Sequence, residues 1–119
     1  MPWMKKDWSR SGGPVISRSG RRRYALRTVG QSMTGAGIED GDVLVIEEDE
    51  DPADGEVVVA LLWGGEEVTV KRIFRERGGE LLRLRPENGD HEDLVVPAEE
   101  AEVQGRVVYV VHPPRGRRR

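Results

Sequence analysis

The sequence predicts a single, mostly β domain, and three observations support that prediction. Short runs rich in Val, Ile, Leu and aromatic residues recur along the chain, and such runs are typical of strands. Asp-Gly, Gly-Gly and Asn-Gly pairs separate them, at 40–41, 54–55, 64–65, 78–79 and 88–89, and these pairs favour tight hairpins. Helical periodicity is scarce, with room for a turn or two at 33–38 and 98–101. A chain of 119 residues suits one such domain.

The predicted elements begin after a non-periodic start. Residues 1–23, rich in Ser, Gly and Arg, are predicted to be a flexible N-terminal arm. The domain is predicted to span residues 24–112, followed by a basic C-terminal tail at 113–119. Within the domain we predict seven strands, at residues 24–29, 42–47, 56–63, 66–75, 80–85, 93–96 and 102–111. The run 57–63 is continuously apolar, as in a strand covered on both faces.

The composition argues against several classes of protein. A formal net charge of −3 does not indicate nucleic-acid binding. The chain has no cysteine, which rules out a disulfide framework and suits a reducing cytosol. Residues 1–8 lack the apolar core of a signal peptide, and no apolar stretch is long enough to span a bilayer. We therefore expect a cytoplasmic protein with no membrane contact, no direct nucleic-acid binding and no cofactor.

Two acidic stretches are candidates for a cation site. His91 stands among Asp90, Glu92 and Asp93, but a single imidazole in such a run fits an exposed acidic turn better than a metal centre. Residues 47–51 are acidic but lack the spacing and glycine of a calcium loop. We predict no metal site at either place. His112 precedes two prolines and shows no evident partner in the sequence.

The most informative count concerns serine and lysine. From Tyr24 to the C-terminus the chain has one serine, Ser32, and one lysine, Lys71, beside eleven arginines. Arginine cannot be deprotonated at useful pH, whereas a lysine in apolar surroundings can be. A lone lysine in an arginine-rich chain therefore suggests proton transfer, and together with a lone serine it suggests a nucleophile and its base.

The positions of the two residues suit that chemistry. Ser32 follows a predicted strand through Gly30-Gln31, so a tight turn would expose its hydroxyl beside free backbone N–H groups. Lys71 lies in a predicted strand in which Val68, Val70 and Ile73 offer an apolar neighbourhood. A general base must be neutral to accept a proton, and burial favours the neutral amine. The alternative is that both are ordinary surface residues, and the residue chemistry alone leaves it open.

Several motifs in order resemble the C-terminal protease domain of LexA repressors, the S24 peptidases. The first is YALRTVGQSMTGAGIEDGD at 24–42, which contains Ser32 and Met33. It is followed by DGEVVVA at 54–60, EVTVKR at 67–72, LRPEN at 84–88 and VQGRVV at 103–108. The resemblance covers residues 24–111, and several motifs at the family's spacing are more specific than a lone Ser-Met pair.

The resemblance implies both a fold and a site. The expected fold is LexA-like, made of hairpins and a small twisted, barrel-like sheet with little helix. Ser32 matches the family's nucleophile, and Lys71 matches its general base, which burial holds neutral. The backbone N–H groups of Ser32 and Gln31 would bind the oxyanion, while Met33 packs beneath the serine.

The implied function is a serine endopeptidase acting in SOS-type regulated proteolysis during the response to DNA damage. The resemblance implies a protein substrate and a RecA-like activator. The residues before Ser32 hold neither a helix-turn-helix nor an Ala-Gly or Cys-Gly bond at the family's distance. We therefore expect neither a DNA-binding domain nor self-cleavage in this chain.

Two alternative functions are consistent with part of these observations. The first is a non-cleaving, dimeric interaction module like a processed UmuD-like subunit, and a homodimer is expected in either case. The apolar run from Val107 to Val111 would pair with the same segment of a second copy of the chain across a twofold axis. The second is a membrane signal peptidase, which also uses Ser-Lys chemistry. No anchor segment is present, however, and Thr34-Gly35-Ala36 replaces the proline-containing continuation expected after Ser-Met.

Overall fold

A computed structural model describes residues 15–16, 20–30, 32–89 and 91–114. The described strands form one antiparallel sheet of eight strands in the order β1-β2-β3-β8-β4-β5-β6-β7. Their bounds are β1 Val15–Ile16, β2 Arg22–Arg27, β3 Val43–Glu48, β4 Val57–Leu62, β5 Glu67–Glu76, β6 Leu81–Arg85, β7 Leu94–Pro97 and β8 Ala101–Val111. The predicted fold class and all seven predicted strands are confirmed, because alternating apolar residues and Gly-containing turns are strong local signals.

The sheet begins earlier than the sequence predicted. Val15 and Ile16 pair with Arg23 and Arg22, and β2 starts at Arg22, so these residues of the predicted arm belong to the sheet. A two-residue strand leaves no periodic pattern and exists only through its partner. Most of the predicted arm and most of the predicted tail lie outside the described residues, and the division into arm, domain and tail stays a prediction.

Within the described residues, regular helical structure is limited to short 3-10 turns. Those at Thr34–Ala36 and Ala98–Glu100 fall where the sequence allowed a turn, and two more, at Trp63–Gly65 and Arg77–Gly79, join neighbouring strands. No helix in the described part of the chain is long and apolar enough to cross a membrane. The longest connection between two strands is the loop between β2 and β3, residues 28–42.

The sheet buries apolar side chains on both faces. On β4, Val59 belongs to one core cluster with Met33, Val68 and Val70, whereas its neighbours Val58, Ala60 and Leu62 belong to a second cluster. This confirms the prediction of a strand covered on both sides. Two β-bulges bend the long strand β8, one opposite Val45 and Ile46 and one opposite Val59 and Ala60. Bulges increase twist, which lets a single sheet curl around two cores.

Candidate active site

The loop between β2 and β3, residues 28–42, carries Ser32, and we call it the serine loop. Backbone contacts close it at its base: the N–H of Thr28 donates to the carbonyl of Asp42 at 2.8 Å, and that of Gly41 donates to the carbonyl of Thr28 at 3.0 Å. The Thr28 hydroxyl adds a bond of 2.7 Å to the carbonyl of Glu39. Both ends of the loop are therefore held to each other before the chain reaches the serine.

Ser32 lies between a glycine turn and a buried methionine. Gly30 has a φ of +101°, a conformation that side chains disfavour, and its N–H donates to Asp40 Oδ1 at 2.9 Å. On the other side, Met33 is buried in the first core cluster, and its carbonyl accepts from the N–H groups of Ala36 and Ile38. Met33 was expected to pack beneath the serine, and its burial in the core fixes the residue next to Ser32.

Lys71 reaches the serine loop from β5. It lies opposite Val58 in the register of β4 and β5. Its Nζ is 3.1 Å from Ser32 Oγ and 2.7 Å from Thr69 Oγ1. Thr69 is buried and, by strand alternation, shares a face of β5 with Lys71. The fold thus brings together Ser32 and Lys71, which are 39 positions apart in the chain. The Thr69 hydroxyl is the second contact of the Lys71 amine.

Burial sets the electrostatics of this site. Desolvation lowers the pKa of the Lys71 ammonium below its ordinary value of 10.5, and the negative charge of Glu67 opposes the shift only in part. Strand alternation places Ile73 on the same face of β5 as Lys71, and Val68 and Val70 on the opposite face, in the first core cluster. The apolar neighbourhood expected for Lys71 therefore includes Ile73 but not Val68 or Val70. A lowered pKa increases the fraction of neutral amine, which can accept a proton from the serine hydroxyl.

A segment after β6 holds the serine loop against the strand that carries Lys71. The carbonyl of Glu87 accepts from the N–H of Gly35 at 2.5 Å, and the N–H of Glu87 points at Met33 Sδ at 3.3 Å. The Glu87 carboxylate pairs with Arg72, the residue after Lys71, at 3.3 Å. Backbone and side chain of Glu87 therefore tie together the neighbours of Ser32 and the neighbour of Lys71.

Other residues singled out in the sequence have different outcomes. Gln31 lies outside the described residues, so the oxyanion site stays a prediction. His91 is exposed, and no group of three or more His, Asp or Glu side chains among the described residues could hold a metal ion. His112 does have a partner, contrary to expectation: its Nδ1 is 2.9 Å from Asp42 Oδ2. The sequence could not show this pair because its members are brought together only by the pairing of β3 with β8.

Sequence reasoning also missed Thr69 and Glu87. Thr69 carried a usable signal, since in a strand the residue two positions before Lys71 lies on the same face. The sequence gives little signal for Glu87, because the main contact of this residue uses a backbone carbonyl, which every residue type possesses.

A serine hydroxyl within hydrogen-bond reach of a half-buried lysine amine is an arrangement in which the lysine can act as a base toward the serine. The peptidase S24-like family matches residues 4–108 of this chain. The chain is 43% identical over 99 residues to a LexA repressor of Cereibacter sphaeroides, covering 82% of the chain and 42% of the repressor. A LexA repressor of Clostridium tetani is 41% identical over 93 residues, covering 78% of the chain and 44% of that protein.

The chain belongs to the peptidase S24-like family. It spans about two fifths of the length of the LexA repressors that it matches. The resemblance seen in the individual motifs is thereby confirmed across most of the chain.

Proposed function

We propose that this chain is a serine endopeptidase domain in which Ser32 is the nucleophile and Lys71 the general base. The observation that supports this best is the 3.1 Å separation of Ser32 Oγ and Lys71 Nζ, where burial lowers the pKa of the amine. Membership in a peptidase family agrees with it.

The reaction would proceed in two halves. Neutral Lys71 takes the proton of the Ser32 hydroxyl while Oγ bonds to the carbonyl carbon of a peptide. Backbone N–H groups at Ser32 and Gln31 would stabilise the oxyanion. The Lys71 ammonium then protonates the leaving amine as the C–N bond breaks, which leaves an acyl-serine. Water, deprotonated by Lys71, attacks this ester, and the Lys71 ammonium returns the proton to Oγ as the ester C–O bond breaks, which releases the carboxylic acid and the free serine.

Thr69 would orient the base. Its hydroxyl accepts a hydrogen bond from Lys71 Nζ at 2.7 Å, so one N–H of the amine is directed at Thr69 and its lone pair remains available to Ser32. The bond also limits the rotation of a long side chain, whose freedom would otherwise weaken the contact with the serine.

The pH dependence of cleavage tests the role of Lys71. We expect the rate to rise with pH through the lowered pKa of Lys71, because only the neutral amine accepts the serine proton. The measurement is kcat/KM for a peptide containing an Ala-Gly bond, in buffers from about pH 6 to pH 10. A rate that falls with pH over this range, or that rises only at the pKa of an ordinary lysine, would contradict the proposal.

By its relation to LexA repressors, the domain would act in regulated proteolysis of the SOS type. The substrate would be an extended segment of a protein, with the bond in a partner chain, and a RecA-like protein would be the activator. These assignments follow from family membership alone.

A second candidate function is assembly, and the sheet supports it. On one side, β4 pairs with β8 only as far as Arg106, whereas on the other side β3 pairs with β8 as far as Val111. Among the described residues no strand therefore lies along the other edge of residues 107–111, which we call the open edge. Tyr109 and Val111 are 59% and 49% exposed there. An unpaired edge with exposed apolar side chains can pair with a second copy of the chain about a twofold axis.

A charge on the open edge should prevent this assembly. We expect the parent chain to sediment as a dimer at micromolar concentration and the variant Val111→Lys as a monomer, because pairing of the two edges would move a charged side chain out of water and against apolar residues of the second copy. Val95→Lys is the matched control, since Val95 is 40% exposed on the edge strand β7. A monomeric parent, or a monomeric control variant, would count against the open edge.

A further inference from the structure

Asp42 is a fully buried carboxylate that the mechanism above does not use. It is 0% exposed and lies directly before β3, at the end of the serine loop. A carboxylate is rarely buried unless hydrogen bonds or opposite charges compensate it, because losing its hydration is costly. Its contacts therefore identify what it stabilises.

Asp42 closes the serine loop with three different atoms. Its carbonyl accepts from Thr28, its N–H donates to the carbonyl of Glu39, and its Oδ2 accepts from the N–H of Glu39 at 2.8 Å. One residue thus joins the start and the end of the loop. A change in the orientation of the Asp42 side chain would release the N–H of Glu39, in the segment that leads back toward Ser32.

His112 holds this side chain from outside the loop. Its Nδ1 lies 2.9 Å from the same Oδ2 atom, and with Nδ1 protonated it donates to the carboxylate. His112 directly follows β8, whose Val111 pairs with Val43, the neighbour of Asp42. The central strand of the sheet therefore carries the histidine to the base of the loop.

The different exposure of His112 and Asp42 determines how much their contact contributes to stability. His112 is 54% exposed, and a pair between two exposed groups would contribute little. Asp42, in contrast, is completely buried, and removing one partner of a buried carboxylate leaves its desolvation less well compensated. Loss of the His112 contact therefore favours a rearrangement around Asp42, and the serine loop is part of that structure.

We propose that His112 is a positioning residue for Ser32, acting through Asp42 on the base of the serine loop. The inference rests on the proposed peptidase function, since it assigns a part in that reaction to a residue outside the dyad. Ser32 Oγ must stay within hydrogen-bond reach of Lys71, and a displacement of about 1 Å costs a large factor in rate.

The test compares three variants of the full chain. His112→Leu removes the donor, His112→Asn places an amide N–H near the position of Nδ1, and His91→Leu is the matched control at the other, exposed histidine. We expect His112→Leu to lower kcat about 10- to 100-fold with little change in KM, since the substrate is still bound but the serine is displaced. His112→Asn should restore most of the rate, and His91→Leu should match the parent.

Amide hydrogen exchange separates this inference from the proposed function. In His112→Leu we expect faster exchange at Glu39 and Thr28, whose N–H groups bond to Asp42, and near-parent exchange in His112→Asn. Unchanged exchange in His112→Leu, or a loss of kcat in His112→Asn equal to that in His112→Leu, would overturn the positioning role. Cleavage that persists without Ser32 would overturn the peptidase proposal and leave the exchange result standing.

Discussion

Replacement of Lys71 by arginine is expected to abolish cleavage, and replacement of Ser32 by alanine to do the same. Arginine keeps the positive charge but cannot give it up, so it cannot take the proton of the serine hydroxyl. Removing a nucleophile or its base from such a site lowers kcat by about 10³-fold or more. The measurement is release of fragments from a peptide or partner protein containing an Ala-Gly bond, followed to several turnovers of the parent.

Protein stability provides the control for these variants. Because burial lowers the pKa of Lys71 in the folded state, the folded chain loses stability at pH values below that pKa, and the loss disappears as pH rises toward 10.5, the ordinary value. The uncharged variant Lys71→Met should therefore be at least as stable as the parent at neutral pH, with a gain that shrinks as pH rises. Thermal unfolding across pH measures this. If Lys71→Met or Lys71→Arg cleaves at the parental rate, Lys71 is not the base.

Replacement of Gly35 by alanine is expected to be the most damaging single-methyl change in the serine loop. A Cβ at this position would overlap the Glu87 carbonyl oxygen and lie 3.2 Å from the Glu87 carbonyl carbon. The clash forces apart the segment that ties the serine loop to the strand of Lys71, and it breaks the bond from the Gly35 N–H. Overpacking of this kind costs about 1–3 kcal/mol of unfolding free energy.

The matched control is Gly89→Ala in the neighbouring turn. A Cβ on Gly89 meets no atom within 4 Å, and neither glycine requires a positive φ. We therefore expect Gly35→Ala to lower both the denaturant midpoint and kcat, while Gly89→Ala changes neither. Equal behaviour of the two variants would show that close packing between Gly35 and Glu87 does not hold the loop.

The sequence predicted those parts of the fold that depend on residues close together in the chain. Strands β2 to β8 could be predicted because alternation and Asp-Gly, Gly-Gly and Asn-Gly turns are encoded within a few neighbouring residues. β1 could not, since two residues become a strand only beside Arg22 and Arg23. The bulges in β8 could not be predicted from the sequence either, because the register of β8 depends on two partner strands at once.

The candidate site shows the same division. Ser32 and Lys71 could be singled out because each is the only residue of its type from Tyr24 onward and each lies in a recognisable motif. Thr69 was within reach of a strand-face argument, whereas the contacts of Glu87 and His112 depend on segments that are distant in the chain. Distant contacts leave no periodic trace in a single sequence.

By itself, the sequence determined that this chain is a mostly β domain in which the one serine and the one lysine from Tyr24 onward are suited to nucleophilic chemistry. Those properties are local, since they depend on side-chain type, alternation and turn residues. Only the tertiary structure decided that the two side chains meet at 3.1 Å, that burial lowers the pKa of the amine, and that Asp42 and His112 close the serine loop. Distance and desolvation arise only when strands far apart in the chain pack together and exclude water.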